Sequence, residues 1–189
     1  INAASFSETK PDLVNLHTSQ GRVEEYFYNG NGLRSYVQLR KGTAGVPTRT
    51  RAWTYDTRAV GMGTVYPVAT ETVYPVEGSL ASPIVTTYTR EWHGTTLQES
   101  KVTTTLPVVT IAENGTGVAA TTERHFDLEG LLTKTVDATG MATTYEYDKL
   151  RGGLKVKIVD QGTGKLNLRT EYEIEDRGRT ILELGPGHS

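Results

Sequence analysis

The chain has 189 residues, and its 20 Lys and Arg stand against 22 Asp and Glu for a formal net charge of −2. That balance excludes a nucleic-acid binder held by a broad basic field, and a mean hydropathy of −0.41 without a long apolar run excludes a membrane-spanning helix. Zero cysteines remove disulfides, thiolate metal sites and cysteine nucleophiles together, while 30 Thr, 20 Gly and 10 Tyr favour strands and turns over helices.

The chain begins with Ile1, which suggests a processed product or a piece of something longer. Residues 1–20 form an N-terminal arm whose one helical candidate is Ser7 to His17, with Pro11 near its start. From Gly21, period-two alternation takes over. Leu33, Ser35, Val37 and Leu39 alternate with Arg34, Tyr36, Gln38 and Arg40, which predicts a strand with one dry face. Asn29-Gly30-Asn31-Gly32 supplies a tight hairpin before it. "WTYD" at Trp53 to Asp56 matches the Tyr-Asp punctuation of the later units, and two tandem stretches, "TVYPVATE" from Thr64 and "TVYPVEGS" from Thr72, follow. Pro67 and Pro75 each lack a ladder donor, so these segments are expected at a sheet edge or in an insertion. Residues 21–120 are thus degenerate hairpin repeats, and residues 121–189 are clearer ones within the same continuous domain.

The clearer repeats begin at Phe126 with "FDLEGLLTKTVDATGMATTYEYD", followed by a second copy from Tyr147 and the start of a third from Glu175. Leu154, Val156 and Ile158 alternate with Lys155 and Lys157, and Leu168, Thr170, Tyr172 and Ile174 alternate with Arg169, Glu171 and Glu173. The glycines that open successive strands, Gly130, Gly153 and Gly178, lie 23 and 25 residues apart. A unit of that size cannot close a core alone and must stack on its neighbours. The fold class is therefore all-β, antiparallel hairpin repeats with almost no helix.

Few residues carry the signature of chemistry. His17, His93, His125 and His188 are scattered without metal-ligand spacing, and no hydrolase, zinc-protease or phosphate-loop motif occurs. Glu91, His93 and Glu99 would be the nearest to an acid/base group, but ordinary solvated side chains account for them better. The chain is read as non-enzymatic and without a cofactor or metal. Asp137 and Asp160 end strands, where one carboxylate is too few oxygens for calcium and suits an Asx-turn. Tyr145, Tyr147 and Tyr172 recur at one point of the repeat, as expected of cross-strand aromatic packing. With Trp53 and Trp92 these tyrosines could instead form a sugar-stacking platform; the two Trp are less constrained by the repeat, and Trp92 in "REWHG" is the candidate for ligand contact. Asn114-Gly115-Thr116 is the single glycosylation sequon, on an expected Asn-Gly hairpin.

The pattern Phe126-Asp127, Gly130, Asp137, Gly140, Tyr145, Tyr147, Asp148 resembles the YD repeat of the RHS family, with Gly153, Asp160, Tyr172 and Gly178 marking the copies that follow. The second copy has a longer turn, and Tyr145-Glu146-Tyr147-Asp148 is answered by Tyr172-Glu173-Ile174-Glu175. The resemblance implies a β-sheet that spirals strand by strand. In bacterial RHS proteins, toxin-complex C subunits and teneurins such sheets form hollow shells, and in the toxins the shell encloses a C-terminal cargo freed by autoproteolysis. No Asp-Pro-x-Gly motif of that kind occurs in this sequence. The expectation is an extracellular or cell-surface structural protein, part of a shell or a self-assembling filament, whose partners are other copies of itself or further repeats of a longer chain. A wall segment of a toxin cocoon and a carbohydrate-binding module are the alternatives.

Overall fold

The computed structural model describes residues 21–42, 44–76 and 79–186. The Ser7–His17 segment, the arm at residues 1–20, His17 and His188 lie outside the described residues. The elements in chain order are β1 (Arg22–Tyr28), β2 (Arg34–Lys41), β3 (Thr48–Tyr55), β4 (Arg58–Val60), β5 (Gly63–Val65), β6 (Val68–Val73), β7 (Ile84–Trp92) and β8 (Glu99–Thr105). A 3₁₀ turn follows at Ile111–Glu113, and then β9 (Thr121–Phe126), β10 (Leu132–Val136), β11 (Ala142–Asp148), β12 (Gly153–Val159), β13 (Leu168–Ile174) and β14 (Thr180–Leu184).

Twelve of these strands make one antiparallel sheet in the order β1-β2-β3-β6-β7-β8-β9-β10-β11-β12-β13-β14, and β4 and β5 pair as a separate ribbon. Each strand therefore neighbours the next one in sequence, apart from the step over the ribbon. The all-β hairpin fold follows directly from the alternating, Thr-rich segments and the breakers between them.

Two compact units divide the chain. One holds the residues up to Arg58 together with Thr64–Tyr88, and the other holds Ala59–Gly63 and the chain from Thr89 onward. The division falls inside β7, not at the boundary between the weaker and the clearer repeats. In the first unit Val37 on β2 is the one deeply buried apolar side chain among the described residues, at 4% exposure; in the second, Val102 and Val156 are, at 2% and 4%. Burial of a valine is worth about 1.5–3 kcal/mol. Among the described residues, most other strand positions are half-buried on both faces of their strands.

Pro67 and Pro75 do not mark an edge. They bracket β6, which lies between β3 and β7, and the Pro67 carbonyl accepts from Asp56 N–H at 2.9 Å. Each proline sits just outside a central strand, where no ladder donor is required of it.

Candidate functional site

The same five-residue turn occurs four times, at Asn29–Leu33, Asp127–Leu131, Asp137–Met141 and Glu175–Arg179. In each, the first residue's N–H donates to the fifth residue's carbonyl at 2.8–3.0 Å, and the fourth residue's N–H donates back to the first carbonyl at 2.9–3.0 Å. The fourth residue is always glycine, with φ of 75° at Gly32, 81° at Gly130, 83° at Gly140 and 79° at Gly178. Only glycine adopts that left-handed conformation without strain.

The Asx residues secure the turn from within. Asn29 Oδ1 accepts from Asn31 N–H and Leu33 N–H, both at 3.0 Å. Asp127 Oδ1 accepts from Glu129 N–H at 3.1 Å and Leu131 N–H at 2.9 Å, and Asp137 Oδ1 from Thr139 N–H at 2.8 Å and Met141 N–H at 2.9 Å. Asp148 opens a turn one residue longer, with Leu150 and Arg151 N–H on its Oδ1 at 3.0 Å. There the left-handed glycine is Gly152, at φ 74°, and Gly153 is already strand. The turn glycines are therefore Gly130, Gly152 and Gly178, 22 and 26 residues apart. Gly153 is tightly placed for another reason: a Cβ there would lie 2.8 Å from the Ile174 side chain, which would have to shift.

Each of the hairpins β1–β2, β9–β10, β11–β12 and β13–β14 also carries a β-bulge. The unpaired residues are Ser35, Thr133, Lys155 and Ile181. Three lie six residues after the residue that opens the turn, and Lys155 lies seven after Asp148, as its longer turn demands. The Thr133 hydroxyl donates to the His125 carbonyl at 3.2 Å, and Ser35 donates to the corresponding carbonyl of Phe27 at 3.1 Å. Turn and bulge together place the first hairpin of the chain in the same repeat as the last three. The bulge also moves Leu154 opposite Tyr147 and leaves Val156 opposite Glu146, so the two aliphatics expected on one dry face point to opposite faces.

In the second unit, consecutive turns are clasped together. Lys149 Nζ lies 2.8 Å from Glu129 and 3.6 Å from Asp127 of the preceding turn. Arg151 binds Asp148 on its own turn and Asp176 on the following one, both at 3.0 Å. A Cβ on Gly178 would lie 2.5 Å from the Arg151 carbonyl, and one on Gly130 would lie 3.3 Å from Gln98, so neighbouring turns approach where side chains would block them.

The electrostatics follow from these bonds. Hydrogen bonds from Thr139 and Met141 hold the Asp137 carboxyl below its ordinary value, and Arg151 does the same for Asp148. Burial pushes Asp127 up, but the N–H of Leu131 and the charge of Lys149, among others, outweigh it and the net shift is downward. Lys149 is raised by its bond to Glu129. These carboxylates are ionised staples of backbone N–H groups. Among the described residues, no three His, Asp or Glu gather where they could hold a metal ion.

The remaining expected residues are dispersed. Glu91 pairs with Lys101 at 2.5 Å, Glu99 with Arg90 at 2.7 Å, and His93 Nε2 lies 2.9 Å from the Phe126 carbonyl, so the three form no acid/base group. His125 Nε2 lies 2.9 Å from Glu123. No ring stack joins Tyr145, Tyr147 and Tyr172. Tyr145 stands opposite Lys157 and Tyr172 opposite Glu183, and burial followed by the nearby Tyr145 and Asp127 raises the Tyr147 hydroxyl. Trp92 is half-buried at the end of β7.

Asp160 is not an Asx-turn residue. It is itself left-handed, at φ 55°, and its loop is organised by Asn167, whose side chain binds Gly162 N–H, the Gly162 carbonyl and the Lys165 carbonyl at 2.9 Å each. Asn114 is not in a hairpin: it ends the 3₁₀ turn with φ 62°, exposed, while Thr116 Oγ1 donates to the Val118 carbonyl at 3.2 Å.

The sequence put the hairpin around Asn29 among the weaker repeats without matching Asn29 itself to Asp127 and Asp137, and the bulge hydroxyls of Ser35 and Thr133, and Arg34, were missed. The spacing Asn29-x-x-Gly32 was the available signal, identical to Asp127-x-x-Gly130 and Asp137-x-x-Gly140. No protein-family model and no curated protein matches this chain.

Proposed function

We propose that this chain is a non-enzymatic structural repeat protein of the RHS/YD kind, working at the cell exterior as wall material of a β-shell or of a self-assembling filament. One observation carries the reading: a turn-plus-bulge hairpin recurs four times in a sheet whose strands follow one another in sequence. A repeat that buries so little within itself is stabilised through its neighbours. The ionisable groups along the turns are engaged in holding backbone, which supports a role without catalysis.

Electron microscopy of the native particle, with sedimentation of the purified chain over a range of concentrations, tests the proposal. A sheet-walled particle or a concentration-dependent polymer is expected, and an enclosed polypeptide would identify the cocoon form. A chain that stays monomeric at high concentration and contributes to no larger particle overturns it.

A further inference from the structure

One member of the repeat departs from the others in a way that the hairpin does not need. The bulge at Ser35 places Arg34 opposite Tyr28, and the corresponding positions of the other copies are Leu132 opposite Phe126, Leu154 opposite Tyr147 and Thr180 opposite Ile174. An uncharged residue thus satisfies the architecture three times out of four. Bulges re-aim side chains, and this one sends a guanidinium onto an aromatic face.

Arg34 Cζ lies 4.8 Å from the centroid of the Tyr26 ring and 5.8 Å from that of Trp53. The Tyr55 hydroxyl donates to the Arg34 carbonyl at 2.8 Å, which ties the start of β2 to the end of β3. Among the described residues Arg34 has no carboxylate partner and its guanidinium donates no hydrogen bond. A guanidinium held over rings keeps its in-plane N–H groups outward, in the fork that fits a carboxylate. Tyr28, 39% exposed, continues the aromatic surface, while Glu24, bonded to the Tyr26 hydroxyl, and Glu71, opposite Trp53, border it and leave Arg34 as the point for an anion.

We propose that Arg34, Tyr26, Tyr28 and Trp53 form a binding face for an acidic glycan, with the carboxylate of a uronic-acid residue on Arg34 and sugar rings laid against the aromatics. Arg34 and Tyr28 are exposed, so a small free carboxylate would gain only a solvent-exposed ion pair of little worth. An extended ligand that also covers ring surface gains more. A peptide could add as a strand only along the outer edge of β1, whereas Arg34 and Trp53 lie on β2 and β3, each hydrogen-bonded on both sides. Recognition at Arg34 and Trp53 therefore runs through side chains, as it does for a sugar laid on a sheet face.

The test is calorimetric titration with a short oligogalacturonate and with its methyl-esterified, uncharged counterpart. Trp53 fluorescence serves as a second readout in a Trp92→Phe background. Saturable binding of the acid, loss with the ester, and binding about tenfold weaker in Arg34→Gln are expected. Arg22→Gln, which removes an equal charge from β1, should bind as the unaltered chain does. Absence of binding, equal affinity in Arg34→Gln, equal loss in Arg22→Gln, or tighter binding of a polyglutamate peptide overturns the proposal. None of these outcomes bears on whether the chain assembles into a shell or filament.

Discussion

The hydroxyl of Ser35 donates to the carbonyl of Phe27 at 3.1 Å, closing the bulge that follows the first turn. Thr133 makes the same bond to His125 at 3.2 Å in the second unit of the chain. The extra residue of a bulge disturbs the ladder, and here its own side chain satisfies the carbonyl beside it. Thr133→Val keeps the shape and removes the donor. It should cost about 1 kcal/mol in urea denaturation, and Ser35→Ala a similar amount. Unchanged midpoints in both variants would show that the bond contributes nothing.

Gly178 and Gly140 share a left-handed backbone but not a neighbourhood. A Cβ at Gly140 meets nothing within 4 Å, whereas one at Gly178 meets the Arg151 carbonyl at 2.5 Å. Gly140→Ala should therefore cost about 1–2 kcal/mol of backbone strain alone. Gly178→Ala should cost clearly more, because the adjacent turn must also move. Denaturation of the two variants side by side checks the order, and a reversed order would argue against the packing of turn on turn.

How much of this was legible in the sequence depended on whether one residue type does one job. Asp-x-x-Gly was legible, because an Asx acceptor and a left-handed glycine three residues on are close to obligatory for this turn. The bulge was not, since its unpaired residue is Ser35, Thr133, Lys155 or Ile181 and shares no chemistry. Alternation therefore put Leu154 on the face of Val156, one register step from where the bulge leaves it. Adjacent glycines at 152 and 153 likewise hid which of them turns the chain. The cluster at Arg34 was invisible for a different reason: Tyr26, Arg34 and Trp53 come from three strands, and only the pairing brings them together.

Val156 still anchors its face, at 4% exposure. Val156→Asp buries a carboxylate beside those of Glu146 and Glu171, its register partners on the two neighbouring strands, and should cost more than about 4 kcal/mol, enough to abolish folding of its unit. Lys157→Glu, on the other face, should leave the circular dichroism spectrum and the melting temperature nearly as they were. Equal tolerance of both changes would contradict the burial of Val156.

The turn carboxylates predict an acid limb to stability. Asp127, Asp137 and Asp148 all have folded-state pKa values below their ordinary ones. A depressed carboxylate stabilises the fold fully above the unfolded value, about 3.9, and loses that contribution as pH falls through the folded value. Urea midpoints should hold between pH 5 and 7 and decline below about pH 4. Asp137→Asn keeps an Oδ1 acceptor, as Asn29 shows at the corresponding turn with its two 3.0 Å bonds. That variant should fold at neutral pH and show a shallower acid decline. A decline as steep as that of the unaltered chain would assign the acid limb to other groups.

The ion pairs between turns should matter less than the bonds within them. Arg151 reaches Asp176 at 3.0 Å, but the Asp176 side chain is 92% exposed, and water and salt screen such a pair. Asp148 holds two backbone N–H groups as well as Arg151, and those donors have no second acceptor in the turn. Asp176→Ala should leave the urea midpoint where it is, and Asp148→Ala should lower it. Repeating both in 1 M salt separates the contributions, since the ion pair is screened there and the backbone bonds are not. If Asp176→Ala proved the more damaging of the two, the clasp between turns, not the Asx cap, would be what holds the repeat in register.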